Sequence, residues 1–138
     1  RAKELGMRST RYVSDHGLPP EDLSQPDIST AYDIALLSLA CLRHPDTLTY
    51  SGRELIYLRD GETMLATRNA LAKRVDGYDG CDGLKTGYHK RGGWSLAATA
   101  ERNGKRIVSV VLGSPSKDVR NAVSRRLLDR GFQIMESE

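Results

Sequence analysis

No run of apolar residues in this sequence approaches the roughly 20 needed to span a bilayer as a helix. That argues against a membrane-spanning helix within the 138 residues. Cysteine is scarce. Cys41 and Cys81 are the only two, they lack metal-ligand spacing, and each falls at an apolar position, so small buried thiols are expected rather than a disulfide. Neither a His/Cys/Asp/Glu metal cluster nor a Ser-His-Asp constellation stands out, which argues against zinc or chymotrypsin-like chemistry. No basic stripe interleaved with aromatics is present, so nucleic acid is not an expected partner. Repeats and low-complexity tracts are missing too. What remains is ordinary globular material, 38% hydrophobic and 28% charged, in an amount that fits one domain. The net charge of +3 comes from scattered arginines and reads as a basic surface.

The pattern predicts a mixed α/β architecture. Residues 1–7 read as a helix end capped by Gly6, and residues 8–28 as a loop rich in Pro, Asp and Ser. Thr30 and Asp33 give a helix start signal, followed by Ile34, Leu37, Leu39 and Leu42, with Pro45 as the stop. Residues 47–66 read as weak strands around a turn at Asp60-Gly61, and a loop follows through Arg68-Asn69 to Gly83. From Leu84 to Leu112 three antiparallel strands are expected, turning at Arg91-Gly92-Gly93 and at Asn103-Gly104. Trp94, Leu96, Ala98 and Ala100 would share one face of the middle strand, and Val108, Val110 and Leu112 one face of the next. A last helix is expected from about Lys117 to Arg130, with Val119, Val123 and Leu127 as its core stripe and Gly131 beyond its end.

The densest signal is Asp79-Gly80-Cys81-Asp82-Gly83-Leu84-Lys85-Thr86-Gly87, a Lys-Thr-Gly triplet on a strand entered through glycines. An ammonium and a hydroxyl side by side suit a carboxylate, one as a charge and one as a donor. Gly87 would let a substrate backbone lie close to the strand. Asp82 is expected to shape a turn.

With its flanks, this segment resembles the serine-type D-alanyl-D-alanine carboxypeptidases, the low-molecular-mass penicillin-binding proteins. Those proteins typically carry D-G-[LM]-K-T-G-[YHT], then glycines, an aromatic or Asn, a small-residue strand and V-V-L-G. Here these stand as Asp82 to Tyr88, Gly92-Gly93-Trp94, Ser95 to Ala100, and Val110-Val111-Leu112-Gly113. Upstream, Ala2-Lys3-Glu4-Leu5-Gly6-Met7, His16-Gly17-Leu18 and Ser29-Thr30-Ala31-Tyr32-Asp33-Ile34-Ala35 are similar to further family segments. The resemblance therefore runs essentially from end to end.

The resemblance implies a β-lactamase/transpeptidase-like fold, an antiparallel sheet with flanking helices, of which residues 1–138 would be the C-terminal half of the catalytic domain. The family nucleophile lies in an upstream S-x-x-K motif joined by an S-x-N element. No S-x-N occurs here, and the one S-x-x-K, Ser114-Pro115-Ser116-Lys117, follows the triplet and reads as a decoy opening the last helix. Because Arg1 looks like mid-helix, a longer parent is expected. By resemblance, Lys85 would fix the substrate carboxylate and support proton transfer, Thr86 would hydrogen-bond that carboxylate, and Gly87 would line the site. The Tyr88 backbone N–H would be an oxyanion donor, and Arg68 and Arg120 would hold the C-terminal carboxylate directly or through water. The implied ligands are peptidoglycan stems ending in D-Ala-D-Ala and β-lactam antibiotics, with no cofactor. The location would be extracytoplasmic, with any membrane association left to segments outside these residues. His16 is expected in a turn and His89 exposed at a strand end. A class A β-lactamase-like hydrolase and a non-catalytic wall-binding remnant are the alternatives.

Overall fold

A computed structural model describes residues 1–18 and 24–137. Three α-helices, α1 (Ala31–Cys41), α2 (Asp46–Ser51) and α3 (Lys117–Glu136), and two short 3-10 turns accompany five strands among these residues. A small hairpin pairs β1 (Leu55–Leu58) with β2 (Thr63–Ala66). The main sheet runs β3 (Cys81–His89), β4 (Gly93–Arg102), β5 (Lys105–Ser114), all antiparallel neighbours in chain order. The mixed α/β expectation therefore holds.

Residues Arg1 to Met7 close a Schellman turn as expected. Gly6 adopts φ +78°, the Met7 N–H reaches the Ala2 carbonyl at 3.1 Å and the Gly6 N–H reaches that of Lys3 at 3.1 Å. The following loop is tied by a bridge between Arg11 and Ile28; of the loop expected over 8–28, residues 19–23 lie outside the described residues. The Thr30 hydroxyl caps α1 by accepting from the Asp33 N–H at 3.2 Å. The buried Asp33 carboxylate turns outward from the helix, taking the Ser9 N–H at 2.9 Å and the Thr10 hydroxyl at 2.6 Å. His16 makes its turn through Nδ1, which accepts from the Leu18 N–H at 3.0 Å.

Helix α3 covers one face of the main sheet. Leu128 and Phe132 pack there with Leu96, Ala98 and Ala100 of β4, with Leu71 and Tyr78 closing the cluster. Helix α1 lies on the other face, where Ile34 and Leu37 share a cavity with Ala97 and Leu112. Strand β4 is therefore buried on both sides, as its run of small residues allows.

Five expectations are corrected. Residues 47–51, read as strand, fall in α2, whose N-cap position is Pro45; α1 already ends at Cys41, before the proline expected to stop it. The buried stripe of α3 is Arg120, Ser124, Leu128 and Phe132, one position on from the expected Val119, Val123 and Leu127; Val119 and Leu127 are 43% and 44% exposed. Gly131 does not end α3. A Cβ there would lie 2.8 Å from Ile107 Cγ2, so the missing side chain permits close helix–strand packing. Asp82 shapes no turn. It sits in β3 and takes a two-pronged ion pair from Arg106 at 2.7 and 2.8 Å. The cysteines are free, and both are half-buried rather than fully buried.

Candidate active site

The triplet occupies β3, an edge strand whose outer side has no strand partner among the described residues. Its inner side is held in register by β4, with Lys85 opposite Ala97, Thr86 opposite Leu96 and Gly87 opposite Ser95. Lys85 is exposed, and its Nζ donates to the Thr86 carbonyl. Gly87 is instructive because packing does not require it. A Cβ there would meet only Ser95 Cβ, at 3.8 Å. Gly83 differs, since its Cβ would fall 2.7 Å from Ser51 Oγ.

Two depressions meet at Lys85 and Thr86. One, of about 360 Å³, opens between β3 and the small hairpin and is also lined by Arg53, Thr67, Arg68 and Asn69. The other, of about 420 Å³, is the more apolar space between α1 and the sheet; Gly87 and Cys41 line it. Arg68 is exposed at the first, beside Lys85 and Thr86.

Asn69 is what anchors this arrangement. It is buried, its Nδ2 donates to the Gly83 carbonyl at 2.9 Å, and its Oδ1 accepts from the Leu71 N–H at 3.1 Å. The loop carrying Arg68 is thereby fastened to β3 two residues before Lys85. Sequence reasoning quoted Asn69 beside Arg68 but gave it no task. Arg53 was missed altogether, because no local motif marks it.

Arg120 does not join this cleft. It is 2% exposed, and its Nε and Nη2 donate to Asn121 Oδ1 at 3.1 and 2.8 Å. Its Nη1 donates to the Ser95 carbonyl at 3.5 Å, and the guanidinium lies 5.9 Å from the Trp94 ring centre. Burial pushes its pKa down from the ordinary arginine value. It stands behind β4, one strand removed from Gly87. Tyr88, paired with Trp94 across the strands, stacks on that ring with centroids 4.1 Å apart. His89 is exposed, as expected.

Ser114 is buried at the last position of β5, while Lys117 is exposed in the first turn of α3. It is Ser116 that caps α3, accepting from the Val119 N–H at 3.1 Å. Ser114 and Lys117 thus form no nucleophile–base pair here, which agrees with the decoy reading. Among the described residues no group of His, Cys, Asp and Glu is placed to hold a metal ion.

The family model for D-alanyl-D-alanine carboxypeptidases matches residues 1–116. This chain belongs to that family. It is 33% identical over 140 residues to D-alanyl-D-alanine carboxypeptidase DacF of Bacillus subtilis, covering 99% of this chain and 34% of the relative. With DacA of Escherichia coli it shares 31% over 133 residues, 96% of this chain and 31% of that protein. Among solved structures, penicillin-binding protein D2 of Listeria monocytogenes in its cefotaxime-bound form superposes with a TM-score of 0.83 at 34% identity, covering 95% of this chain and 51% of that one. Penicillin-binding protein 6B of Escherichia coli gives 0.81 at 31% identity, covering 96% and 39%. The chain therefore spans about a third of the length of these curated relatives. The fold and family read from the sequence stand.

Proposed function

We propose that these residues supply the K-T-G wall of a serine-type D-alanyl-D-alanine carboxypeptidase acting on peptidoglycan stem peptides outside the cytoplasm. The observation that carries this reading is the convergence of Lys85, Thr86 and Arg68 on one cleft beside an open strand edge. A peptide laid along that edge would find backbone partners on β3 and no side chain at Gly87. Its terminal carboxylate would meet the Lys85 ammonium, the Thr86 hydroxyl and the Arg68 guanidinium. Arg120 would serve that carboxylate from behind β4, through Ser95 and Gly87, rather than by direct contact.

The nucleophile belongs to the part of the protein outside these residues. Its serine oxygen would attack the carbonyl between the two D-alanines, with the Tyr88 N–H as one donor to the developing oxyanion. The serine proton would pass to the departing D-alanine nitrogen as the ester forms, and water would then cleave the ester to free the trimmed stem and the serine. Opening of a β-lactam ring would follow the same attack without releasing a leaving group. The cefotaxime- and ampicillin-bound forms of the similar Listeria penicillin-binding protein support β-lactams as ligands here.

A fluorescent penicillin tests the proposal. The full-length protein is expected to label covalently and to release D-alanine from a D-Ala-D-Ala peptide, and both signals should fall at least tenfold in Lys85→Ala. Full-length protein that neither labels nor releases D-alanine refutes the reading. So does an unaffected Lys85→Ala variant.

A further inference from the structure

Strand β3 does not keep one register from end to end. Cys81 stands opposite Ala100 but Gly83 stands opposite Thr99, so Asp82 is an extra residue with no partner of its own on β4. This is a β-bulge, and its place matters because side chains alternate between the two faces of a strand. Continued from Cys81 without the bulge, the pairing would set Lys85 opposite Leu96. Leu96 belongs to the cluster packed against Leu128 and Phe132 of α3, so the ammonium would turn to the apolar side of the sheet. With the bulge, Lys85 stands opposite Ala97, on the side that faces α1. The extra residue therefore decides where the lysine points.

The bulge is held through its backbone and through its side chain. Ser51 Oγ donates to the Asp82 carbonyl at 3.4 Å, and Asn69 Nδ2 to the Gly83 carbonyl at 2.9 Å. The Asp82 carboxylate is taken by Arg106, whose Nη1 and Nη2 donate to its two oxygens at 2.7 and 2.8 Å. Arg106 belongs to β5 and reaches across β4 to make this pair. On the way its Nη1 donates to Thr99 Oγ1 at 3.0 Å and its Nη2 to Glu101 Oε2 at 2.6 Å. Thr99 is the buried residue opposite Gly83, so the guanidinium grips both sides of the bulge. Only a planar fork meets both carboxylate oxygens and the threonine together. Pairing with β4 continues on either side of Asp82, so β3 stays attached without this contact. What the contact selects is the register.

We infer that Arg106 is a positioning residue for the reaction: through Asp82 it fixes the bulge, and through the bulge it aims Lys85 into the cleft. The inference rests on the proposed carboxypeptidase reading and adds to it a residue two strands away that touches no substrate.

The test uses the full-length protein, its acylation by a fluorescent penicillin, and D-alanine release from a D-Ala-D-Ala peptide. Arg106→Gln is expected to slow acylation about tenfold, the scale set by losing hydrogen bonds to a charged group. Arg106→Lys should recover part of that loss. Asp82→Asn should slow acylation as well, and the Asp82→Asn, Arg106→Gln double variant should be no slower than the worse single one, as members of one network behave. The separating comparison is made in a Lys85→Ala background. There Arg106→Gln should change acylation by less than about twofold, because a residue that acts by aiming the lysine has nothing left to aim. Hydrogen exchange keeps folding apart from positioning: amides of residues 81–89 should exchange faster in Arg106→Gln, while those of residues 117–136 stay as protected as before. An equal fold-loss with and without Lys85, an Arg106→Gln variant that acylates at the unmodified rate, or lost protection in α3 overturns the inference. Acylation that falls in Arg106→Gln only when Lys85 is present, in a protein that releases no D-alanine, would sink the carboxypeptidase reading and leave the positioning role standing.

Discussion

Asn69→Ala is the substitution that tests how the cleft is assembled. The Asn69 amide satisfies two groups at once, the Gly83 carbonyl at 2.9 Å and the Leu71 N–H at 3.1 Å, and Asn69 itself is only 3% exposed. Alanine removes both partners. Leu71 is fully buried, so its amide would be left without an acceptor. The Gly83 carbonyl would lose its amide donor while keeping the weak Cys81 thiol contact at 3.4 Å. A buried group losing its partner costs about 1–3 kcal/mol, so the two together should cost about 2–4 kcal/mol, less than full additivity because the thiol remains. Asn69→Ser can still accept from the Leu71 N–H as a cap but cannot reach Gly83, and it should recover about 1 kcal/mol of the loss. Urea unfolding of the full-length protein, with the slope against denaturant unchanged, measures both values. Acylation by a fluorescent penicillin well below the unfolding transition should slow in Asn69→Ala, because the Arg68 loop is no longer fastened to β3. A loss below about 0.5 kcal/mol, the size of an ordinary surface change, would refute the reasoning. A serine variant no better than alanine would refute the capping half of it.

Gly87→Ala should leave unfolding stability within about 0.5 kcal/mol, because its Cβ would make only an ordinary 3.8 Å contact. D-alanine release should nonetheless fall at least tenfold; a large stability loss with unaltered turnover would show that glycine serves the fold. Tyr78 is a pH reporter. Burial first, then its 2.7 Å hydrogen bond to Asp129, pushes its phenol up to about 12. The folded state thus holds the phenol proton more tightly than the unfolded chain does. This contribution is complete below about pH 10, the unfolded value, and is lost as pH rises through about 12. Unfolding measured between those limits should show stability falling with pH, and Tyr78→Phe should flatten the fall. An unchanged slope in Tyr78→Phe would place the titration elsewhere.

Much of this was legible in the sequence because local chemistry and final structure agree. Asn103 and Gly104 both take positive φ, 51° and 74°, as a two-residue hairpin turn requires, so the β4–β5 pairing could be read from two letters. Thr30 and Ser116 each cap the helix that follows. Helix α2 was illegible because Asp46–Ser51 holds two threonines and a tyrosine in six residues, a composition that favours strand. So short a helix depends on packing against β3 rather than on propensity. The α3 stripe was misread because its buried face begins with Arg120 and Ser124, polar residues that an apolar pattern passes over. Gly131 looked like an end signal when its role is proximity to Ile107. At the site, Lys85, Thr86 and Gly87 came from a linear motif. Arg53 required the folded cleft, and the burial of Arg120 required the packing of α3 on β4.

The placement of the site follows from β4. Its small residues Ala97, Ala98, Thr99 and Ala100 are buried, so helices can close on both faces of the sheet while the strands on either side stay at its edges. An open edge is ordinarily a liability, since its free N–H and C=O groups can recruit another chain, and lysine on the edge is a common safeguard. Both β3 and β5 are edges among the described residues. Only β3 joins an exposed lysine to a glycine that packing leaves free and to a cation-lined cleft. The same Lys85 that would discourage a second sheet from docking would, on the proposed function, offer its charge to a peptide with a carboxylate at its end. Protection of the edge and selection of the ligand would then be one property of one residue. Replacing Lys85 with an apolar residue should therefore cost solubility as well as activity.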